Sequence, residues 1–266
     1  MGVKMLSLLP KTLWLFGLMV LTNGGVAYGE AVSIPDAKAL YPLNSWYATR
    51  EINNKQPQGT PVGVSLAPGP DGEDGTSYQF SGQVNSYIEF PNNGGLDVKQ
   101  SITILCWVYP ENLKGPIVQY SDTSSTDWGV AMWLAFTTHL YARYSHRDYT
   151  ITTPLKTTEP LAVNQWHYVG TSYDHTTGIA SLWQNGNRVV QRNIGAGMTL
   201  ATQDIVRMGV KARDSRYFKG RITAFQVYDA ALTAKQINTM NNTGLGRNFF
   251  HFKAISSLAR KLAGPH

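Results

Sequence analysis

Acidic side chains are the first place to look for chemistry, and their spacing is poor for catalysis. Retaining glycoside hydrolysis requires paired carboxyls about 5–5.5 Å apart, and alternating acids on one strand face would supply them. The six glutamates, Glu30, Glu51, Glu73, Glu89, Glu111 and Glu159, are scattered instead, with no Glu-x-Asp-x-Glu run. Trp166-His167 offers a group that titrates near neutrality, yet no serine or cysteine nucleophile motif accompanies it. The pattern points away from an enzyme, and only carboxyls converging from distant strands would reverse that.

The cations are more concentrated. The formal charge is +6. Lys4 and Lys11 near the start and Arg247, Lys253, Arg260 and Lys261 near the end account for all of it, so residues 30–246 are neutral. Within that stretch Arg207, Lys211, Arg213, Arg216, Lys219 and Arg221 face only Asp214. Lys211, Arg213 and Arg216 flank an expected turn. They are candidate ligand-binding residues for anions such as sulfated glycans, expected to face solvent and converge. The other reading is a solvated run whose charges spread over two strands. No DNA or RNA module accompanies it, so nucleic acid is not the expected partner.

Two further positions bear on chemistry. Cys106 is the only cysteine, which excludes an intrachain disulfide and a multi-cysteine zinc site and leaves a core thiol as its expected role. Asn241-Asn242-Thr243 is a candidate glycosylation sequon at Asn241, usable only in a secreted chain.

The elements that must position these residues read as strands. Among 266 residues, 42% are hydrophobic and only 15% charged, with Gly (25), Tyr (14) and Trp (7) plentiful. That balance suits short strands and turns, an all-β fold. Residues 101–109 alternate Ile102, Ile104, Cys106 and Val108 against Leu105, Trp107 and Tyr109, which predicts a central strand buried on much of both faces. Residues 128–136 and 140–145 form an expected pair around a turn at 137–139. Asn185-Gly186 predicts a two-residue hairpin turn. A final strand at 217–228 leads into Thr233-Ala234-Lys235-Gln236, a capping box that starts a short C-terminal helix with Ile237 and Met240 turned inward.

Several motifs in order carry a family resemblance: Ser77-Tyr78-Gln79-Phe80-Ser81-Gly82, Ser86-Tyr87-Ile88-Glu89-Phe90 and Ile102-Thr103-Ile104-Leu105-Cys106-Trp107-Val108-Tyr109-Pro110. Asn164-Gln165-Trp166-His167-Tyr168-Val169, Leu182-Trp183-Gln184-Asn185-Gly186 and Phe218-Lys219-Gly220-Arg221-Ile222 follow. The run 227–237 then matches the family's closing strand and helix. Residues 40–242 resemble the laminin-G-like, concanavalin A-like lectin/glucanase jelly-roll family. The resemblance implies a two-sheet antiparallel jelly-roll sandwich with function on a sheet face or rim loops. It also implies that Trp166-His167 is structural, and Trp107 and Trp183 are expected as packing residues rather than sugar platforms.

The resemblance extends partly to pentraxins, through residues 167–178. This chain lacks their second cysteine, and 210–217 is basic where their calcium loop is acidic. A double-calcium site is therefore not expected. Asp127, ahead of Trp128-Gly129-Val130, resembles the aspartate that starts the corresponding laminin G strand, and with Asp122 it is a candidate for a single calcium. The segment 122–127 also reads as a solvated turn.

The ends complete the organisation. Residues 1–29 read as a secretory signal peptide, with Lys4 and Lys11, an apolar centre at 13–21 and Ala27-Tyr28-Gly29 as a cleavage site. Residues 30–39 form a short N-terminal segment, and no transmembrane span is expected. In the tail at 243–266, Phe249, Phe252, Ile255, Leu258 and Leu262 recur at helical spacing among cations. That is a basic amphipathic helix for a membrane surface, the domain's own surface or a partner. The expectation is a secreted, extracellular, non-catalytic binding or adhesion module for glycans or extracellular matrix proteins. The alternative is a structural matrix component of a shell or skeleton.

Overall fold

Alternation of apolar side chains decides which face of each strand turns inward. The computed structural model describes residues 32–111, 114–121, 127–135 and 137–243. Residues 1–29, expected as a signal peptide, Asp122 and the tail beyond Thr243 lie outside the described residues. The chain divides into two units at Asp36 and Ala37. Of the first, only residues 32–36 are described, and they carry no helix or strand.

In chain order the first strands are β1 (Ala39–Tyr41), β2 (Thr60–Val62), β3 (Val64–Ala67), β4 (Ser77–Ser81), β5 (Tyr87–Phe90), β6 (Ile102–Pro110), β7 (Gly115–Tyr120) and β8 (Ala131–Ala135). They continue as β9 (His139–Arg143), β10 (Leu155–Pro160), β11 (His167–Tyr173), β12 (Ile179–Gln184), β13 (Asn187–Asn193), β14 (Val206–Met208) and β15 (Lys219–Tyr228). Helix α1 (Ala234–Asn242) closes the series. Two antiparallel sheets result, the jelly-roll sandwich that the motif order predicts. The first runs β13-β12-β11-β6-β15-β4-β3, with β1 also on β15; the second runs β10-β9-β8-β7-β14-β5-β2.

β6 is the central strand that its alternation predicts. Ile102, Ile104, Cys106 and Val108 lie in the inter-sheet core, and Thr103, Leu105 and Trp107 on the opposite face are buried as well. The C-terminal segment covers that outer face. Thr103 Oγ1 donates to the Ala230 carbonyl at 2.6 Å and accepts from the Leu232 amide at 2.9 Å. The capping box forms between Thr233 and Gln236, and Ile237 and Met240 are the buried residues of α1. Rings join the sheets: Phe90 of β5 lies 4.4 Å from Tyr41 and 5.3 Å from Phe225, centroid to centroid. Across the sandwich the Tyr144 and Thr171 hydroxyls are 2.7 Å apart.

The remaining packing expectations resolve in the same way. Trp107 packs on Tyr168 with ring centroids 5.2 Å apart, and Trp183 Nε1 donates to Ser172 Oγ at 2.8 Å. Both indoles are buried packing groups. Asn185 and Gly186 have φ of 51° and 81°, the left-handed pair that a tight hairpin turn between β12 and β13 demands. Cys106 is free and buried, and burial pushes its thiol pKa well up. Among the described residues no helix is long and apolar enough to cross a membrane.

Candidate binding pocket on the second sheet

The outer face of the second sheet carries the side chains that its core does not take. Along β8, Met132 and Leu134 enter the core, so Trp133 and Ala135 project the other way. Along β9, Leu140 and Ala142 enter it, leaving Tyr141 and Arg143 outside. The pairing register sets Trp133 directly opposite Tyr141, which makes them cross-strand neighbours on one face. The Trp133 indole is fixed by Nε1, which donates to Gln119 Oε1 of β7 at 2.8 Å.

The connection between β14 and β15 comes down onto this face. Its base is closed where the Phe218 amide donates to the Gly209 carbonyl at 2.9 Å. Gly209 in turn donates to the Pro116 carbonyl of β7 at 3.1 Å. Gly115 makes the approach possible. Its φ is +146°, and a Cβ there would stand 2.3 Å from the Phe218 nitrogen, closer than any side chain tolerates. The backbone at 217–218 therefore crosses β7 at contact distance and delivers Arg216 beside Lys114.

Together Lys114, Trp128, Trp133, Ala135, Tyr141, Arg143 and Arg216 line an open cavity of about 460 Å³. Its rings and cations are interleaved. The Arg143 guanidinium carbon lies 4.7 Å from the Trp128 ring centroid and 5.7 Å from that of Tyr141. Arg216 is 4.7 Å from Trp133, and the Lys211 ammonium is 5.1 Å from Trp128. Trp128 and Trp133 are themselves 5.0 Å apart. Such contacts are each worth about 0.5–2 kcal/mol depending on desolvation.

This geometry revises the expected basic strip. Lys211 does not face solvent: it is 2% exposed, and burial lowers its pKa against the pull of Asp214 and Asp127. Its ammonium donates to the Ala212 carbonyl at 3.3 Å. Arg216 is half-exposed and paired with Asp214 at 2.6 Å. Burial alone would raise the Asp214 carboxyl, but the bonds from Arg216 outweigh it and hold that pKa below the ordinary carboxylate value. Arg213, at φ 58°, is the exposed member. The other cations scatter. Arg207 on the second sheet pairs with Glu89 at 2.6 Å, while Lys219 and Arg221 on the first reach Glu111 at 4.0 and 3.9 Å. Lys211 and Arg216 thus converge on Trp128, and the strip as a whole does not.

The candidate calcium site does not gather ligands among the described residues. Asp127 is exposed beside Trp128, and among the described residues no group of three or more His, Cys, Asp or Glu side chains assembles. Its electrostatic neighbour is the Lys211 ammonium, which opposes a divalent cation. Asp122 and the rest of 122–126, the other part of the expected site, lie outside the described residues. His167 is buried in β11 with Nε2 2.9 Å from the Ala162 carbonyl oxygen. Asn241 of the sequon is half-buried at the end of α1, where its Nδ2 donates to Asn242 Oδ1 at 3.1 Å.

A family model matches residues 81–238, described as the concanavalin A-like lectin/glucanases superfamily and of the laminin G type. The chain belongs to this superfamily. Several solved structures share the fold at low identity. The binding domain of Paraclostridial mosquitocidal protein 1 aligns with TM-score 0.64 and 16% identity, over 78% of this chain and 52% of that one. The botulinum neurotoxin serotype G binding domain aligns with TM-score 0.61 and 12% identity, over 78% and 51%. Domain 4 of AbnA, an extracellular arabinanase from Geobacillus stearothermophilus, solved with arabinotriose, aligns with TM-score 0.59 and 18% identity over 77% of this chain and 98% of that domain. This chain spans about half the length of the toxin domains. No curated protein matches the sequence.

Proposed function

We propose that this chain is a secreted, non-catalytic binding module whose ligand is an extracellular glycan, free or carried on a matrix protein, held in the pocket of Trp128, Trp133, Tyr141 and Arg143. The composition of that pocket carries the reading. Rings and hydrogen-bond donors surround about 460 Å³, and among the described residues the lining contains no Asp or Glu. Ligand pockets pair apolar and aromatic surface with a few placed polar groups, whereas glycoside cleavage needs carboxyls at the scissile bond. Of the acids beside the pocket, Asp214 is already engaged by Arg216, and Asp127 has the Lys211 ammonium as an electrostatic neighbour.

The similar structures support the same reading. The arabinanase domain was solved with a trisaccharide, and a neurotoxin serotype D domain of this fold was solved with N-acetylneuraminic acid. The signal-like composition of residues 1–29, with Lys4, Lys11 and the apolar centre at 13–21, supports the secretion reading.

The test is a glycan array probed with the full chain in calcium and again in chelator, beside Trp128→Ala. Saturable retention on a subset of glycans, lost in the variant and unchanged by chelator, is expected. Retention of no glycan overturns the reading, and so does release of reducing sugar by the pure protein. Retention abolished by chelator would restore a calcium role around Asp127.

A further inference from the structure

The two arginines in the pocket occupy the surfaces that a neutral sugar would stack on. Arg143 lies 4.7 Å from the Trp128 centroid, and Arg216 lies 4.7 Å from that of Trp133. Lys211, 5.1 Å from Trp128, adds a third cation to the same indole pair. Rings engaged by cations are poor platforms for sugar C–H groups. An arginine resting on a ring, however, keeps its in-plane N–H donors for a ligand.

Those donors are also unequally committed. Arg216 spends Nε and Nη2 on Asp214 at 2.9 and 2.6 Å. Arg143 spends only Nε, which donates to the Tyr141 hydroxyl at 2.9 Å. Among the described residues neither Arg143 nor Lys114 pairs with a carboxylate. Both line a cavity that has no acid among its described lining residues. Among the described residues the lining is therefore net positive: Asp214 offsets Arg216, while Arg143 and Lys114 have no carboxylate partner. A buried lysine behind Trp128 deepens the local potential, because low-dielectric walls focus field lines into a cleft.

We propose that the pocket selects an anionic sugar unit, with a carboxylate or sulfate seated between Arg143 and Lys114 and the indoles acting as supports for the cations. This rests on the glycan-binding reading above and names its ligand class. Two planar N–H donors of a guanidinium match two oxygens of a carboxylate or sulfate group. Tyr141 sets the Arg143 fork through its hydroxyl and is a positioning residue.

The test uses the full chain and three short probes: trigalacturonate for carboxylate, a sulfated dextran oligosaccharide for sulfate, and the unsulfated dextran oligosaccharide as neutral control. Titration calorimetry is run on wild type, Arg143→Ala, Arg143→Lys and Lys114→Ala, with folding verified by thermal melting. The cationic tail is common to every variant, so differences between them report the pocket. At least one acidic probe is expected to bind more tightly than the neutral one. Arg143→Ala should then weaken it by about tenfold or more, with Arg143→Lys restoring only part, because a point charge replaces a fork. The probe that responds identifies carboxylate or sulfate as the source. Equal affinity for neutral and acidic probes overturns this proposal while leaving the glycan reading intact, and so does acidic binding that ignores Arg143. Binding of no probe here and of no glycan on the array overturns both.

Discussion

Asp214 holds Arg216 at two points: Nε donates to Oδ1 at 2.9 Å and Nη2 to Oδ2 at 2.6 Å, while the Arg216 amide also donates to Oδ1 at 2.9 Å. One carboxylate thus fixes both the backbone of the β14–β15 connection and the guanidinium above Trp133. The arginine side chain is 41% exposed and the aspartate 12%, so solvent screens part of the attraction. Asp214→Ala is expected to cost about 1–2 kcal/mol after that discount. A double-mutant cycle with Arg216→Ala, read by denaturant unfolding, should return a coupling of about 1 kcal/mol. Coupling indistinguishable from zero would mean the two residues do not support the loop together.

Acid should weaken the fold through a second carboxylate. Asp97 receives Arg147 Nη1 and Nη2 at 2.8 Å each and the Thr202 hydroxyl at 2.9 Å. Burial alone would raise its pKa, but these bonds outweigh burial and set it below the ordinary 3.8. A depressed folded pKa stabilises fully above the unfolded value, and that contribution disappears as pH falls through the folded one. Wild type should therefore melt above Asp97→Asn at about pH 6, and the gap should close as the pH is taken down below the ordinary carboxylate range. A gap independent of pH would assign the difference to lost packing.

Legibility in the sequence differed sharply between scaffold and site. The strand at 102–110, the Asn185-Gly186 turn and the Thr233–Gln236 cap were readable because each depends on local chemistry: alternation, tolerance of positive φ, and reciprocal capping. The pocket depends on relations that are not local. Period-two alternation around the 137–139 turn would have placed Trp133, Tyr141 and Arg143 on one face. It could not say that this face stays open while the outer face of β6 is covered by 230–240. Nor could charge counting tell which members of the basic strip converge. Arg207 and Arg221 sit on different sheets, and the delivery of Arg216 to Trp133 depends on where the chain crosses Gly115.

Cys106 illustrates a local reading with a kinetic consequence. Its Sγ lies in the inter-sheet core, and burial raises the thiol pKa far above the ordinary 9.0. The thiolate is the reactive form, so native protein should label with a disulfide reagent at the rate of global opening. Guanidinium-unfolded protein should label at once. Fast labelling of the native state would place the thiol in a site that opens locally.

Gly115 is the position where a single methyl group should undo the site. A Cβ there would meet the Phe218 nitrogen at 2.3 Å and the Tyr217 carbonyl carbon at 2.5 Å, and neither backbone atom can swing away as a side chain can. The φ of +146° adds strain for any L-residue. Gly115→Ala must then push the 209–218 connection off β7, which separates Arg216 from Trp133 and Lys114. A stability loss of about 1–3 kcal/mol is expected, together with loss of pocket binding in the protein that remains folded. Tryptophan fluorescence offers a direct readout, since Trp133 would lose Arg216 and gain solvent, and Trp128 would lose Lys211 while keeping Arg143. Unchanged melting, emission and binding in the Gly115→Ala variant would show that the crossing at 217–218 relaxes without cost, and that the pocket does not depend on this glycine.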